Sequence, residues 1–349
     1  MSLRRSSCNA VLGSLTALAM AWMMLADAAH AEDKSVTIGL ALYSQLQPRW
    51  LFDAKAFQDQ AAKNGDTVIL QYADGDPTKQ TQQVQSMLSR GIDVLVIASA
   101  DEAVGSNLVS AAKKEGVKTI AYDIGVKGAA PDWMIVRNQD QVGELQMKAA
   151  LKEKPTGNYA LFKGDAGVDL AQASSVVYAK LLENQSGVKV VYNDFIPGFS
   201  PATAQRTAED ILTKYNDDVA AFVSVNDGMA TGIIQALQGA GKVGKVFVSG
   251  LDGNEANLHL IATGAQTMTV YTPIDEMGRL AANASHDLGN GRVPAANSTF
   301  KSTAGDVPMN QVDLVAVDKT NVCEFVTKIA PAGWADPAVV FKGSDIQCP

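Results

Sequence analysis

The chain has 349 residues, a net charge of −8 and only 6% aromatic residues, with no basic block, which argues against a nucleic-acid partner. Its three cysteines and three histidines fall in no metal-ligand spacing, so no metal and no cofactor are expected.

The first predicted element is a leader. Arg4 and Arg5 precede an apolar run from Ala10 to Ala26, and Ala29-His30-Ala31 stands just before Glu32. A basic start, a hydrophobic middle and small residues at the −3 and −1 positions are what a translocon binds and a signal peptidase cuts. This predicts a signal peptide over residues 1–31, a mature chain from Glu32 and a periplasmic location. A retained anchor is the competing reading, since the run approaches the ~18 residues that span a bilayer; the Ala-x-Ala end favours cleavage. Cys8 precedes the apolar run, the wrong place for a lipid-modified N-terminus. The arginine pair does not distinguish twin-arginine export from the ordinary route. Only Cys323 and Cys348 survive processing, and an oxidising compartment predicts that they are bridged, two unpaired thiols being the alternative.

Beyond the leader, short β-branched runs alternate with segments of helical period. Strands are predicted at residues 36–42, 67–72, 94–98, 118–122, 159–162, 188–192, 220–225, 246–249 and 267–271. Continuous apolar runs such as Val94-Leu95-Val96-Ile97 are buried on both faces, which implies a parallel sheet sandwiched by helices and an α/β class. Asp76 is a predicted N-cap before Pro77, and Gly91 ends that helix. The pattern pauses near Ile135 to Asp140 and restarts at Val142-Gly143-Glu144-Leu145, which predicts two doubly wound lobes. Ligands of such sheets bind beyond the carboxyl ends of the strands. Polar residues stand there: Arg49, Asp101, Asp123, Asp169, the pair Asn226-Asp227, and Asp252.

Catalytic motifs are decoys. Gly239-Ala240-Gly241-Lys242-Val243-Gly244-Lys245 satisfies G-x-G-x-x-G, but it sits between a helix and a strand, the reverse of the context that aims a helix N-terminus at phosphate. It reads as a turn. Gly198-Phe199-Ser200-Pro201 lacks the second glycine of a nucleophile elbow, and neither His259 nor His286 falls at a strand end where a triad base is wanted. The strand-end carboxylates suit hydrogen bonding to a neutral polar ligand better than catalysis, and the chain is not expected to be an enzyme.

Those strand-end residues sit inside phrases that resemble a known family. Ile120-Ala121-Tyr122-Asp123, Val142-Gly143-Glu144-Leu145-Gln146, Val225-Asn226-Asp227-Gly228, Val248-Ser249-Gly250-Leu251-Asp252-Gly253 and Gln266-Thr267-Met268-Thr269-Val270-Tyr271 resemble the periplasmic sugar-binding proteins of ABC importers, above all the D-xylose-binding branch. The resemblance runs in order along the mature chain. It implies the type I periplasmic binding protein fold, two Rossmann-like doubly wound parallel-sheet lobes joined by three crossovers. It divides the chain into residues 32–139 with 271–306, and 140–270 with 307–349. Hinges are expected near residues 135–138, 270–272 and 305–308. The implied partners are a small sugar or polyol, ABC permease membrane subunits and, in a sensory variant, a chemoreceptor or sensor kinase; the protein is expected to be a monomer.

Carried over by position, the resemblance implies binding roles for Arg49, Trp50, Asp123, Asp169, Phe199, Asn226 and Asp252; the strand-end reading adds Asp101, and Gln172 is a candidate replacement donor where the helix opening departs from the pattern. Arg49 would donate to hydroxyls, Trp50 and Phe199 would cover apolar sugar faces, and the carboxylates would each accept from more than one hydroxyl. Trp50 has the alternative reading of a helix-packing residue, and Gln172 that of a helix-surface residue. Two departures stand out: Ile124 occupies a position where the pattern has Arg, and Thr272 one where it has Lys. Losing two cationic donors predicts a ligand other than D-xylose, whether another monosaccharide, a deoxy sugar or a polyol.

Overall fold

The computed structural model describes residues 33–46, 49–126, 128–301 and 304–348. The expected leader, residues 1–31, lies outside the described residues.

A seven-stranded sheet runs in the order β11-β12-β5-β4-β3-β1-β2. Its strands are β1 (Thr37–Leu42), β2 (Thr67–Tyr72), β3 (Val94–Ile97), β4 (Lys118–Tyr122), β5 (Trp133–Arg137), β11 (Ser298–Phe300) and β12 (Val307–Val312). All pair in parallel except β11, which runs antiparallel at one edge. The reason is visible in β3, whose four residues are fully buried. Val94 and Val96 join one hydrophobic cluster, Leu95 and Ile97 another, so each face of the strand meets its own layer of helices.

The second sheet has the order β7-β6-β8-β9, all parallel, with β6 (Gly157–Phe162), β7 (Val188–Asp194), β8 (Ala221–Ser224) and β9 (Phe247–Val248). A bridge between Leu251 and Val270 extends it to the antiparallel pair β10 (Met268–Tyr271) and β13 (Val315–Asp318). Strands β5, β11, β12 and β13 were absent from the sequence reading. Strand β12 hydrogen-bonds into the seven-stranded sheet, and the chain leaves that sheet for β13 at Asp313–Leu314.

Local chemistry sets the helix ends. In α2 (Pro77–Ser89), Asp76 Oδ1 accepts from the Thr78 and Lys79 amides at 2.8 and 3.1 Å, Pro77 fills the first helical position, and Gly91 follows the end at φ 73°. The glycine-rich segment after α7 (Asp227–Gly239) is a helix-to-strand turn, as read from the sequence, with Gly241 and Gly244 at positive φ. Cys323 and Cys348 form the expected disulfide.

Candidate functional site

A cleft of about 1160 Å³ opens where the carboxyl ends of strands from both sheets converge. That is somewhat above the range of roughly 300–1,000 Å³ usual for small-molecule pockets. It lies at the switch points of the two sheets, where β1 and β3, and β6 and β8, are neighbours whose crossovers run in opposite directions.

Helix α1 (Arg49–Lys63) starts at this cleft, and its first turn delivers Arg49. The Arg49 guanidinium donates from Nε to Asp53 Oδ2 at 3.2 Å, one turn along, and its Nη1 lies 3.0 Å from Asp123 Oδ2. Asp123 follows β4, and Arg137 ends β5 beside it. Arg137 grips the same carboxylate with two bonds, Nε to Oδ1 at 3.1 Å and Nη2 to Oδ2 at 2.8 Å. The Tyr122 hydroxyl donates to Asp53.

Each charge is tuned by its neighbours. Burial pushes the Asp123 carboxyl up, but the guanidiniums of Arg137 and Arg49 overcome it and hold Asp123 below the usual carboxylate range. Burial dominates at Asp53 and raises it, with Arg49 and the Tyr122 hydroxyl opposing. Arg49 itself is raised because Asp123 and Asp53 outweigh burial.

On the opposite wall, Asp252 follows β9 and is exposed to the water of the cleft. The charges of Arg137 and Arg49 reach it across the cleft and favour its ionised form. Beneath it, Asp227 is fully buried and accepts from Thr269, Gln266 and the Asn254 amide. Burial and the charge of Asp252 raise Asp227 strongly. Gln146 ties the second sheet's strand ends together, donating to the carbonyls of Gly250 at 2.8 Å and Val225 at 3.3 Å.

Eight of the nine residues singled out in the sequence line this one cleft: Arg49, Trp50, Asp101, Asp123, Asp169, Phe199, Asn226 and Asp252. Gln172 does not. Its side chain folds back to donate to the Ala166 carbonyl at 2.6 Å, which satisfies it locally. Trp50 reaches the cleft but is only 2% exposed, packing in the cluster of β1, β3 and β4 with the Arg49 guanidinium 4.4 Å from its ring centroid. Phe199 is the more accessible ring, seated against Gly164, whose missing Cβ would stand 2.3 Å from a ring carbon. Asp101 caps α3 (Glu102–Lys114) through Oδ1 alone, accepting from Ala103 and Val104, so Oδ2 is left for the cleft. Asn226 caps α7 through Oδ1, which leaves its amide N–H groups as donors. Asp169 is exposed in the first turn of α5 (Asp169–Leu182).

Three cleft residues carry side chains in a backbone region that favours glycine, Asp123 at φ 58°, Phe199 at φ 52° and Asp252 at φ 122°. Such strain persists only where the surrounding structure holds it, and here the amides of Asp123 and Asp252 are fixed to the carbonyls of Ile135 and Val270 at 2.8 and 2.9 Å.

Sequence reasoning missed Arg137, Tyr271 and Trp334, all of which line the cleft. Arg137 ends a strand that the apolar pattern did not disclose, although it falls inside the pause from Ile135 to Asp140. Ile124 and Thr272 also line the cleft, so both departures from the resemblance fall on it.

The fold and the placement of polar groups at strand ends define a two-sheet binding protein. The periplasmic binding protein domain family matches residues 38–292. The chain is 38% identical over 304 residues to the D-xylose-binding periplasmic protein of Escherichia coli K12, covering 86% of this chain and 92% of that one. It is 35% identical over 321 residues to the protein of that name from Haemophilus influenzae, covering 91% and 96%. Among solved structures, an ABC transporter solute binding protein from Clostridium phytofermentans with bound β-D-glucose superposes with a TM-score of 0.73 at 24% identity, covering 87% of this chain and 99% of that one. The chain therefore belongs to the periplasmic binding protein domain family and has the type I fold of that family.

Proposed function

We propose that this protein is the substrate-binding component of an ABC importer, capturing a neutral monosaccharide or related polyol between its two lobes and handing it to the permease subunits. The observation that carries this reading is the pairing of fixed donors on one wall, Arg49 and Arg137, with open acceptors and donors on the other, Asp252 and Asn226. Vicinal hydroxyls both donate and accept, so they match such a frame. The two guanidiniums are already countered by Asp53 and Asp123, while Asp101, Glu102, Asp169, Asp252 and Glu255 add negative charge around the cleft. That balance favours a neutral ligand over a sugar acid or phosphate.

The lobes in this proposal follow the sheets. One comprises the residues up to Arg137 with those from α9 (Ile274–Gly289) to Val312, and the other the segments between and after; the third hinge is then Asp313–Leu314 in place of 305–308. Residues 1–31 are the cleaved leader that exports the chain to the periplasm. The ligand differs from D-xylose, because Ile124 and Thr272 bring no charge to the cleft and Arg137 delivers a cation from β5.

A thermal-shift screen of the mature protein against pentoses, hexoses and polyols, followed by calorimetry, tests the reading. A neutral sugar or polyol should bind and be recovered unchanged, and Asp252→Asn should weaken it by about 2 kcal/mol, roughly thirtyfold. Micromolar or tighter binding of D-xylose would refute the specificity claim. An unchanged affinity in Asp252→Asn would refute the placement of the site.

A further inference from the structure

The segment after residue 292 lies outside the matched family region, yet it supplies one end of the cleft. The Cys323–Cys348 disulfide closes a 25-residue span, and Val322, Phe325 and Val340 within or beside it are fully buried against Leu258, Ile261 and Tyr271. The loop between them carries Trp334. Its indole Nε1 donates to the Gly253 carbonyl at 2.7 Å, one residue past Asp252, and the Asp336 amide donates to Glu255 Oε2 at 2.7 Å. The indole meets Tyr271 edge-on, ring centroids 5.4 Å apart, and meets Phe52 of α1 at 5.2 Å. Phe52, Tyr271 and Trp334 all line the cleft, and Trp334 is only half-buried.

Tyr271 adds an independent sign. It is 1% exposed, and its hydroxyl makes no hydrogen bond of ordinary geometry among the described residues, the Ile274 backbone amide being the polar group beside it. A buried hydroxyl without a partner is costly unless something supplies one. Thr272, standing where the resemblance has Lys, brings a hydroxyl and no charge to this end of the cleft.

We propose that Trp334 and Tyr271 form a further subsite of the ligand cleft, the indole covering an apolar C–H face of the bound sugar or polyol and the Tyr271 hydroxyl pairing with one of its hydroxyls. This rests on the reading of the cleft given above. Trp334 also positions Asp252, since its N–H holds the carbonyl of the next residue. The C-terminal tail is thus part of the specificity determinant, and ring size and substitution at the ligand's far end are read there.

The test uses the mature protein with D-glucose, D-xylose and myo-inositol as probes, comparing the wild type with Tyr271→Phe, Trp334→Ala, Trp334→Phe and Asp252→Asn. Tyr271→Phe removes only the unpaired oxygen; it should leave the thermal midpoint unchanged or raised and weaken the tightest-binding probe about fivefold to tenfold. Trp334→Ala should lose affinity and change the order of preference among the probes, and Trp334→Phe should restore part of both. If Asp252→Asn loses binding while the Tyr271 and Trp334 variants keep wild-type affinities and preferences, the corner is packing and this inference falls, with the reading of the cleft intact. A wild type that binds none of the probes and no other pentose, hexose or polyol in the screen overturns both.

Discussion

Asp123→Asn isolates the centre of the charge network. The side chain keeps its size, and asparagine tolerates the positive φ of 58° at this position as aspartate does, so backbone strain is unchanged. What is lost is the negative charge between two guanidiniums. Three bonds at 3.0, 3.1 and 2.8 Å depend on it, one from Arg49 and two from Arg137. Charge-assisted bonds each contribute about 1.5–3 kcal/mol, and removing one partner of a buried pair costs about 3–5 kcal/mol. Asn retains one acceptor oxygen, Arg49 retains Asp53, and the two arginine side chains keep 19% and 16% exposure to water, so the lower end applies. The expected loss is about 3 kcal/mol in urea unfolding of the ligand-free mature protein at pH 7.

The sign of the pH dependence follows from the depressed native pKa of Asp123. Its stabilisation is present above the unfolded value of 3.8 and disappears as pH falls through the lower native value. The difference between wild type and Asp123→Asn should therefore shrink steadily below about pH 4. A gap under about 1 kcal/mol at pH 7, or one that persists undiminished at acid pH, would refute the account of Asp123 as the anchor of both arginines.

Asp227 should behave in the opposite sense: its raised native pKa means that its contribution is present at acid pH and is lost as pH rises from the unfolded value of 3.8 through the native one, so Asp227→Asn should flatten the pH profile of stability over that window. A variant whose profile parallels the wild type would contradict the assignment. Thiol titration of the unfolded, unreduced mature protein should detect no free thiol, and reduction should lower stability by about 3 kcal/mol; two titrating thiols would reject the bridge. Small-angle scattering should give a smaller radius of gyration once a binding sugar saturates the cleft, through population shift to a closed form. An unchanged profile at saturation would count against hinge closure.

The sequence by itself determined what rests on local chemistry. The run Val94-Leu95-Val96-Ile97 could only be a strand covered on both faces, because four consecutive apolar β-formers leave no polar side for water. Asp76-Pro77 could be read as a helix start because the cap acts within three residues. Strand ends could be read as site positions because a doubly wound sheet gathers them at one edge, and six of the seven polar residues picked there, Arg49, Asp101, Asp123, Asp169, Asn226 and Asp252, share the cleft, Asp227 alone being buried away from it. Tertiary structure decided the rest. Trp133–Arg137 pairs with β4 and β12 in a way its mixed composition does not announce, and only the register Tyr122 opposite Ile135 sets Arg137 beside Asp123. Gln172 had an acceptor in the loop before its helix, and Trp50 a place in the core, and neither choice is visible along the chain. Trp334 reaches the cleft because the tail packs under Tyr271 and is closed by a disulfide, a long-range arrangement for which no residue spacing is a sign. Periodicity records which face of an element is buried; which partner a polar side chain meets depends on segments far apart in sequence brought together by packing.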